Sequence, residues 1–177
     1  IALTGLAVAM ITGTMTAKKE ALAGFGNSAI WIIVAAFFIA DGFLITGLGK
    51  RIALLFVSLL GKSSLGLSYG MAITDLVLAP ATPSNTARAG GVIYPIIKSL
   101  AEVNGSTNES TESRRKLGSF LLMTEAQVNT ITSAMFLTAM AGNPLAVKFA
   151  QDKGVHLDWG TWALAAIVPG LAALIVL

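Results

Sequence analysis

Between Ser63 and Leu100 an apolar stretch is interrupted by Pro80, Pro83, the polar run Ser84-Asn85-Thr86, Arg88 and Gly90-Gly91. Proline lacks a backbone N–H and disfavours helix at the residue before it, so this pair predicts a break. Just past the break, hydroxyl and amide groups offer neutral donors and acceptors that take an ion at modest desolvation cost. The same residue types cap helix starts, so a ligand cluster and a capped turn between packed helices both fit. Arg88 is the only cation well inside an apolar block. It could line a path and bind a carboxylate, or cap the turn and reach the interface by snorkelling.

A second constellation lies downstream. Glu125, Asn129 and Ser133 follow i, i+4 spacing with Thr132 beside them, which puts a polar face on an otherwise apolar helix. Such a face turns to a bundle interior or an aqueous path, and interhelical hydrogen bonding serves as well as a substrate path. Asp41 and Asp75 are each embedded in apolar sequence. Neither has the Gly-x-Gly-Asp flank of an intramembrane aspartyl protease; buried carboxyls bonded to neighbouring helices fit better, with proton coupling left open. Gly66-x-x-x-Gly70 offers a flat surface for packing the two arms of the interrupted block against each other. His156 sits in a short loop beside Asp152 and Asp158 and reads as solvated. The absence of cysteine removes disulfides, thiolate catalysis and thiolate metal sites.

The elements that must position these groups are membrane helices. Of 177 residues, 55% are hydrophobic and only 12% charged, about half the usual charge of a soluble domain. Mean hydropathy is +0.77. Apolar runs of roughly 18–21 residues are long enough to cross a hydrocarbon layer of about 30 Å. A soluble domain and a disordered chain are both excluded. The net charge of +3 lacks the aromatic-studded basic patch of a nucleic-acid binder, so no nucleic-acid partner is expected.

Five apolar blocks follow one another: Ile1–Ala17, Ser28–Leu48, Ser63–Leu100, Leu117–Ala150 and Trp159–Leu177. The 50–62 stretch between the second and third reads as an amphipathic helix at the interface. The third block is broken as described, and the fourth at Ala141-Gly142-Asn143-Pro144. Loop cations choose the topology of the third block. As a re-entrant hairpin it puts Lys50, Arg51, Lys62, Lys98, Arg114, Arg115 and Lys116 on one side, against Lys18, Lys19, Lys148 and Lys153. The positive-inside rule favours that arrangement over a crossing. Asn104-Gly-Ser and Asn108-Glu-Ser match the glycosylation pattern, but on this topology they face the cytoplasm. The chain begins and ends inside apolar runs, which reads as a fragment of a longer polypeptide. Broken segments at membrane depth survive only where they line a wet cavity or are buried in protein. Two of them suit a transporter, whose half-helix ends hold ions.

Several segments now become specific. Gly47-Leu-Gly-Lys-Arg-Ile-Ala-Leu-Leu55, Asp75-Leu-Val-Leu-Ala-Pro80 and Thr82-Pro-Ser-Asn-Thr-Ala-Arg88 resemble the divalent anion/sodium symporter family. Asn129-Thr130, Thr138-Ala-Met-Ala-Gly-Asn-Pro-Leu145 and Ala166-Ile-Val-Pro-Gly-Leu171 resemble the same branch, that of citrate or succinate exchangers and 2-oxoglutarate/malate translocators. The resemblance implies an all-α integral membrane fold, one half of an inverted-repeat elevator-type transporter with a re-entrant hairpin and a broken helix. It implies scaffold helices and an interfacial helix over 1–62, a mobile hairpin domain over 63–150, and the next scaffold helix from 151 to 177. One Ser-Asn-Thr tip and no internal repeat imply the N-terminal half.

Residue by residue, Ser84, Asn85 and Thr86 carry over as substrate ligands. Ser84 and Asn85 with Gly142 and Asn143 carry over as a cation site, with sodium as coupling ion and no other cofactor. Arg88, Asn129, Ser133 and Thr138 are expected to line the path. The implied activity is exchange of di- and tricarboxylates (succinate, malate, 2-oxoglutarate, citrate and tartrate), with sodium-coupled uptake as the alternative. The turn Pro80-Ala-Thr-Pro83 is poorer in hydroxyls than a sodium-coupled member would carry, which favours exchange. A homodimer in lipid is expected, in a bacterial inner membrane or a plastid inner envelope. An intramembrane enzyme and a structural subunit are distant alternatives: the first lacks clustered catalytic groups, the second has no need of two broken helices.

Overall fold

The computed structural model describes residues 1–177 other than Asn27, Asn108 and Arg115, so the second glycosylation-type sequence falls outside the described residues. Helix makes up 79% of the chain, and no strand occurs among the described residues. Chain order runs α1 (Ala2–Ile11), α2 (Ser28–Thr46), α3 (Leu48–Leu60), α4 (Ser64–Leu78), α5 (Asn85–Arg88), α6 (Tyr94–Val103), α7 (Thr111–Arg114), α8 (Leu117–Met135), α9 (Gly142–Gln151) and α10 (Trp159–Val176). Ser64–Ala81 and Trp159–Val176 are long and apolar enough to cross a membrane. Ile30–Thr46 with Leu48–Leu60 makes a third such stretch, bent by 62°. The bend falls at Gly47, whose φ of +65° strains any side chain larger than hydrogen.

The interrupted block is a hairpin. α4 starts on a Ser63 cap, whose Oγ accepts the Gly66 N–H at 3.0 Å. After a 3₁₀ turn over Ala79–Ala81 the chain is extended at Thr82 and Ser84, then returns through α5, a π-turn at Ala89–Ile93 and α6. Both arms lie against α8. Asp75, near the end of α4, meets Asn129 and Thr132 of α8, whereas Ala101, near the end of α6, lies beside Gly118 at its start. The return is therefore antiparallel to α4, and the base of the hairpin is at Ser63 and Val103. Leu67, Met71 and Leu78 of α4, Val92, Ile93, Ile96 and Ile97 of the return arm, Leu121 of α8 and Ala53 of α3 share one apolar core.

Three expectations are corrected. The non-helical stretch is shorter than Pro80–Gly91: helix resumes at Asn85, because Ser84 caps it, and the two glycines lie in the π-turn instead. The second break covers 136–141 rather than 141–144. Pro144 lies in the first turn of α9, where its missing N–H would have no partner in any case, so it starts a helix instead of ending one. Asp41 is exposed on α2, and no side-chain hydrogen bond or ion pair reaches it among the described residues.

The small residues of α4 also face a different partner than expected. A Cβ on Gly66 would sit 1.9 Å from the Leu60 carbonyl oxygen, and one on Gly70 would sit 3.2 Å from that of Phe56. The pair lets α3 and its turn approach α4; it does not join the two hairpin arms. Gly66→Ala should therefore lower the melting temperature of the full-length protein, since backbone must move, at about 1–3 kcal/mol. Gly70→Ala should cost clearly less. A Gly66→Ala protein melting with wild type would contradict this packing.

Candidate functional site

The tip owes its shape to local capping and to a buried clamp. Ser84 Oγ accepts the Ala87 N–H at 3.2 Å, and Asn85 Oδ1 accepts the Thr86 N–H at 2.9 Å. Ser84 and Asn85 are half-buried, and Thr86 is exposed. Three adjacent side chains thus present hydroxyl and amide groups where α5 begins. Their oxygens keep free lone pairs for a cation, and their hydroxyl and amide donors suit an anion.

Beneath the tip, Arg88 is fully buried. Its Nε donates to Asp75 Oδ1 at 2.7 Å. Its Nη1 reaches the Thr82 carbonyl at 3.3 Å, the Thr82 hydroxyl at 3.5 Å and the Ala139 carbonyl at 3.4 Å. Its Nη2 donates to Thr132 Oγ1 at 3.1 Å and Ser133 Oγ at 2.9 Å. One guanidinium thus joins α4, the turn, α8 and the break after α8. The planar five-donor fork makes this possible; an ammonium could not satisfy so spread a set. Neither snorkelling nor exposure on a path applies to Arg88 in this conformation, because every direction around it is filled by acceptors.

Asp75 balances that charge. Besides Arg88, its Oδ1 accepts Asn129 Nδ2 at 3.2 Å, and its Oδ2 accepts the Thr132 hydroxyl. Asn129 Nδ2 also lies 3.5 Å from the Asn85 carbonyl, linking the α8 polar face to the tip. Ser133 donates to the Asn129 carbonyl at 2.5 Å. The Glu125–Asn129–Ser133 face is therefore turned into the bundle, with interhelical bonding at Asn129 and Ser133, and all three residues are buried. Asp75 is the member of the embedded aspartate pair that does bond neighbouring helices.

The second break abuts the first. Thr138 donates to the Pro80 carbonyl at 2.7 Å and accepts from Trp159 Nε1 at 3.3 Å. Asn143, buried, donates to the Ser133 and Phe136 carbonyls at 2.7 and 2.9 Å, and Trp162 donates to the Ala134 carbonyl at 3.0 Å. These bonds satisfy carbonyls that the end of α8 leaves without helical partners. Gly142 is exposed, and Pro83 and Pro144 line one small cleft with Thr138 and α2. Ser84, Asn85 and Thr86 are thus together at the tip, and Thr138 and the 136–141 break are joined to the hairpin turn. No bond connects Gly142 or Asn143 to the tip among the described residues. Sequence reasoning missed the Arg88–Asp75 pair. Its signal was available: two opposite charges inside apolar sequence must find each other. At the other end, Asp158 caps α10 by accepting the Thr161 N–H at 2.7 Å, and that bond holds its carboxyl below the usual carboxylate range. His156 is exposed, as expected.

A polar hairpin tip clamped onto a broken helix is an arrangement that half-helix ion sites of membrane proteins use. The family model described as sodium:sulfate symporter transmembrane region matches residues 1–177, and the chain belongs to that divalent anion transporter family. It is an integral membrane chain of a bacterial inner membrane or plastid envelope type. It is 58% identical over 177 residues to "Putative malate transporter YflS" of Bacillus subtilis, covering 99% of this chain and 37% of that one. It is 48% identical over 177 residues to "Dicarboxylate transporter 1, chloroplastic" of Spinacia oleracea, covering 99% and 31%. Against "Inner membrane protein YbhI" of Escherichia coli it is 49% identical over 156 residues, covering 88% and 32%. The chain thus spans about a third of the length of these relatives.

Proposed function

We propose that this chain is part of a secondary carrier that exchanges di- and tricarboxylates of the succinate, malate, 2-oxoglutarate, citrate and tartrate class. Ser84, Asn85 and Thr86 hold the substrate. The observation that carries this reading is the tip itself: uncharged hydroxyl and amide groups, accessible, on a turn whose position is set by a buried ion pair. The names of relatives as malate and dicarboxylate transporters support the substrate class. Neutral ligands suit a carrier, which must release its anion as well as bind it.

In this reading residues 63–150 move as a unit against the helices of 1–62 and of 151–177. Asn129, Ser133 and Thr138 keep the tip in place from behind, and two copies associate in the lipid. Sodium, where used, is a second cargo held by neutral oxygens of Ser84 and Asn85, with Gly142 and Asn143 as further ligands. The clamp favours exchange over obligatory sodium coupling, because Arg88 already neutralises Asp75 beneath the tip and no cation is needed there to offset buried negative charge.

The test is counterflow of labelled succinate and malate in proteoliposomes holding the full-length protein, with and without sodium. Expected are exchange against internal dicarboxylate and little dependence on sodium. No exchange across the panel would remove the transport reading, and an absolute sodium requirement would replace exchange with symport.

A further inference from the structure

The chain has three tryptophans, and their indole N–H groups are used differently. Trp31 donates to the Phe25 carbonyl at 2.7 Å, six residues back along the chain. Trp159 and Trp162 lie in the first turn of α10, and both reach across to the end of α8 and the break that follows it. A tryptophan at the start of a membrane helix ordinarily anchors it at the interface, with the N–H turned to water and headgroups. Here both N–H groups turn to protein. The Trp159 ring also stacks on Phe136 in the break, with centroids 6.2 Å apart and planes at 25°. The two helices come close again at Gly170, where a Cβ would sit 2.5 Å from the Met135 side chain.

The two indoles differ in what lies beyond their acceptors. Trp162 donates to the Ala134 carbonyl at 3.0 Å, which is still backbone of α8. Trp159 donates to Thr138 Oγ1 at 3.3 Å, and Thr138 gives its own hydrogen to the Pro80 carbonyl at 2.7 Å. A hydroxyl has one hydrogen to donate and lone pairs to accept, so one threonine serves both bonds at once. Pro80 belongs to the hairpin turn, four residues before Ser84. The turn is thus held from within by Arg88 at the Thr82 carbonyl, and from α10 through Thr138.

We propose that Trp159 is a positioning residue for the tip. Its indole N–H, acting through Thr138, holds the turn at Pro80 and with it the place where Ser84, Asn85 and Thr86 meet a dicarboxylate. The hold on the turn stands on these bonds; its effect on an anion rests on the transport reading. In that reading residues 63–150 move against 151–177, so the Trp159 bond acts in the conformation described and parts when the unit travels.

The experiment compares Trp159→Phe and Trp162→Phe in the purified full-length protein. Phenylalanine at 159 keeps a ring to stack on Phe136 and removes the N–H. Trp162→Phe removes the neighbouring donor of the same helix, which has no route to the turn. Two quantities are read beside the melting temperature: amide hydrogen exchange across residues 79–88 without substrate, and equilibrium binding of labelled succinate. Both variants should lose a similar, small amount of melting temperature. In Trp159→Phe, exchange across 79–88 should rise about threefold to tenfold and succinate affinity should fall by a similar factor, the scale of one hydrogen bond. In Trp162→Phe both should match wild type. Adding Trp159→Phe to Thr138→Val should weaken binding no further than Thr138→Val alone, because each breaks the same relay.

Wild-type exchange across 79–88 in Trp159→Phe, equal losses of affinity in the two tryptophan variants, or additive losses with Thr138→Val would each overturn the proposal. So would a Trp159→Phe protein that does not fold, since the N–H would then hold the fold and not the tip. Should succinate bind neither wild type nor variants, the transport reading fails, while the exchange comparison still judges whether Trp159 holds the turn.

Discussion

Replacing Arg88 with methionine should leave little folded protein. Arg88 and Asp75 are both fully buried, 2.7 Å apart. Removing the cation leaves the Asp75 carboxylate uncompensated, which costs about 3–5 kcal/mol, a large part of a typical folding free energy. It also frees the Thr82 and Ala139 carbonyls, so the hairpin turn and the 136–141 break lose their common anchor. Arg88→Lys keeps the charge but not the fork, and should rescue only partly. The pair can be separated from its parts by a double variant. Arg88→Met with Asp75→Leu removes both charges and should recover much of the melting temperature lost in Arg88→Met alone, because the penalty comes chiefly from the orphaned charge. An Arg88→Met protein with wild-type melting and wild-type transport would remove the clamp from this account.

The second large effect separates binding from folding. Ser84→Asp keeps a good helix cap, since aspartate accepts the Ala87 N–H as serine does. It also places a negative charge where the substrate anion is to sit. Two like charges about 4 Å apart repel by about 4 kcal/mol at an effective dielectric near 20, which corresponds to a loss of several hundredfold in affinity. Melting should stay near wild type while counterflow of labelled succinate disappears. Ser84→Ala makes the complementary change, losing the cap and one ligand without adding charge. It should reduce transport less than aspartate does while lowering stability more. Equal counterflow in wild type and Ser84→Asp would place the substrate elsewhere.

Much of this architecture was legible because membrane helices announce themselves by length and apolarity. The span starting at Ser28, the hairpin and the i, i+4 polar face of α8 all follow from periodicity, proline placement and loop charge. Errors gathered where a local signal had two uses. Pro144 can end a helix or begin one, and only the Asn143 bonds to the Ser133 and Phe136 carbonyls fix the break earlier. Gly66 and Gly70 announce a close approach without naming the neighbour, which is α3. Asp41 and Asp75 look alike in sequence, yet one is exposed and the other balances a guanidinium, a difference set by residues brought together by the turn. The polar break at Ser84-Asn85-Thr86 was legible from residue types; of the clamp behind it only the two opposite charges were, since its other parts come from separate stretches of chain.

The clamp accounts for a tip that is polar but uncharged: the fixed charges of Arg88 and Asp75 are spent on each other underneath. In the proposed reading the face offered to an anion then carries only dipoles, weak enough to let a cargo go and sensitive to any charge placed on it.

The most direct measurement is equilibrium binding of labelled succinate to the purified full-length protein, comparing wild type with Ser84→Asp at matched melting temperature. Saturable binding in wild type and none in the variant is the expected result. Indistinguishable affinities would mean that Ser84, Asn85 and Thr86 do not hold the anion.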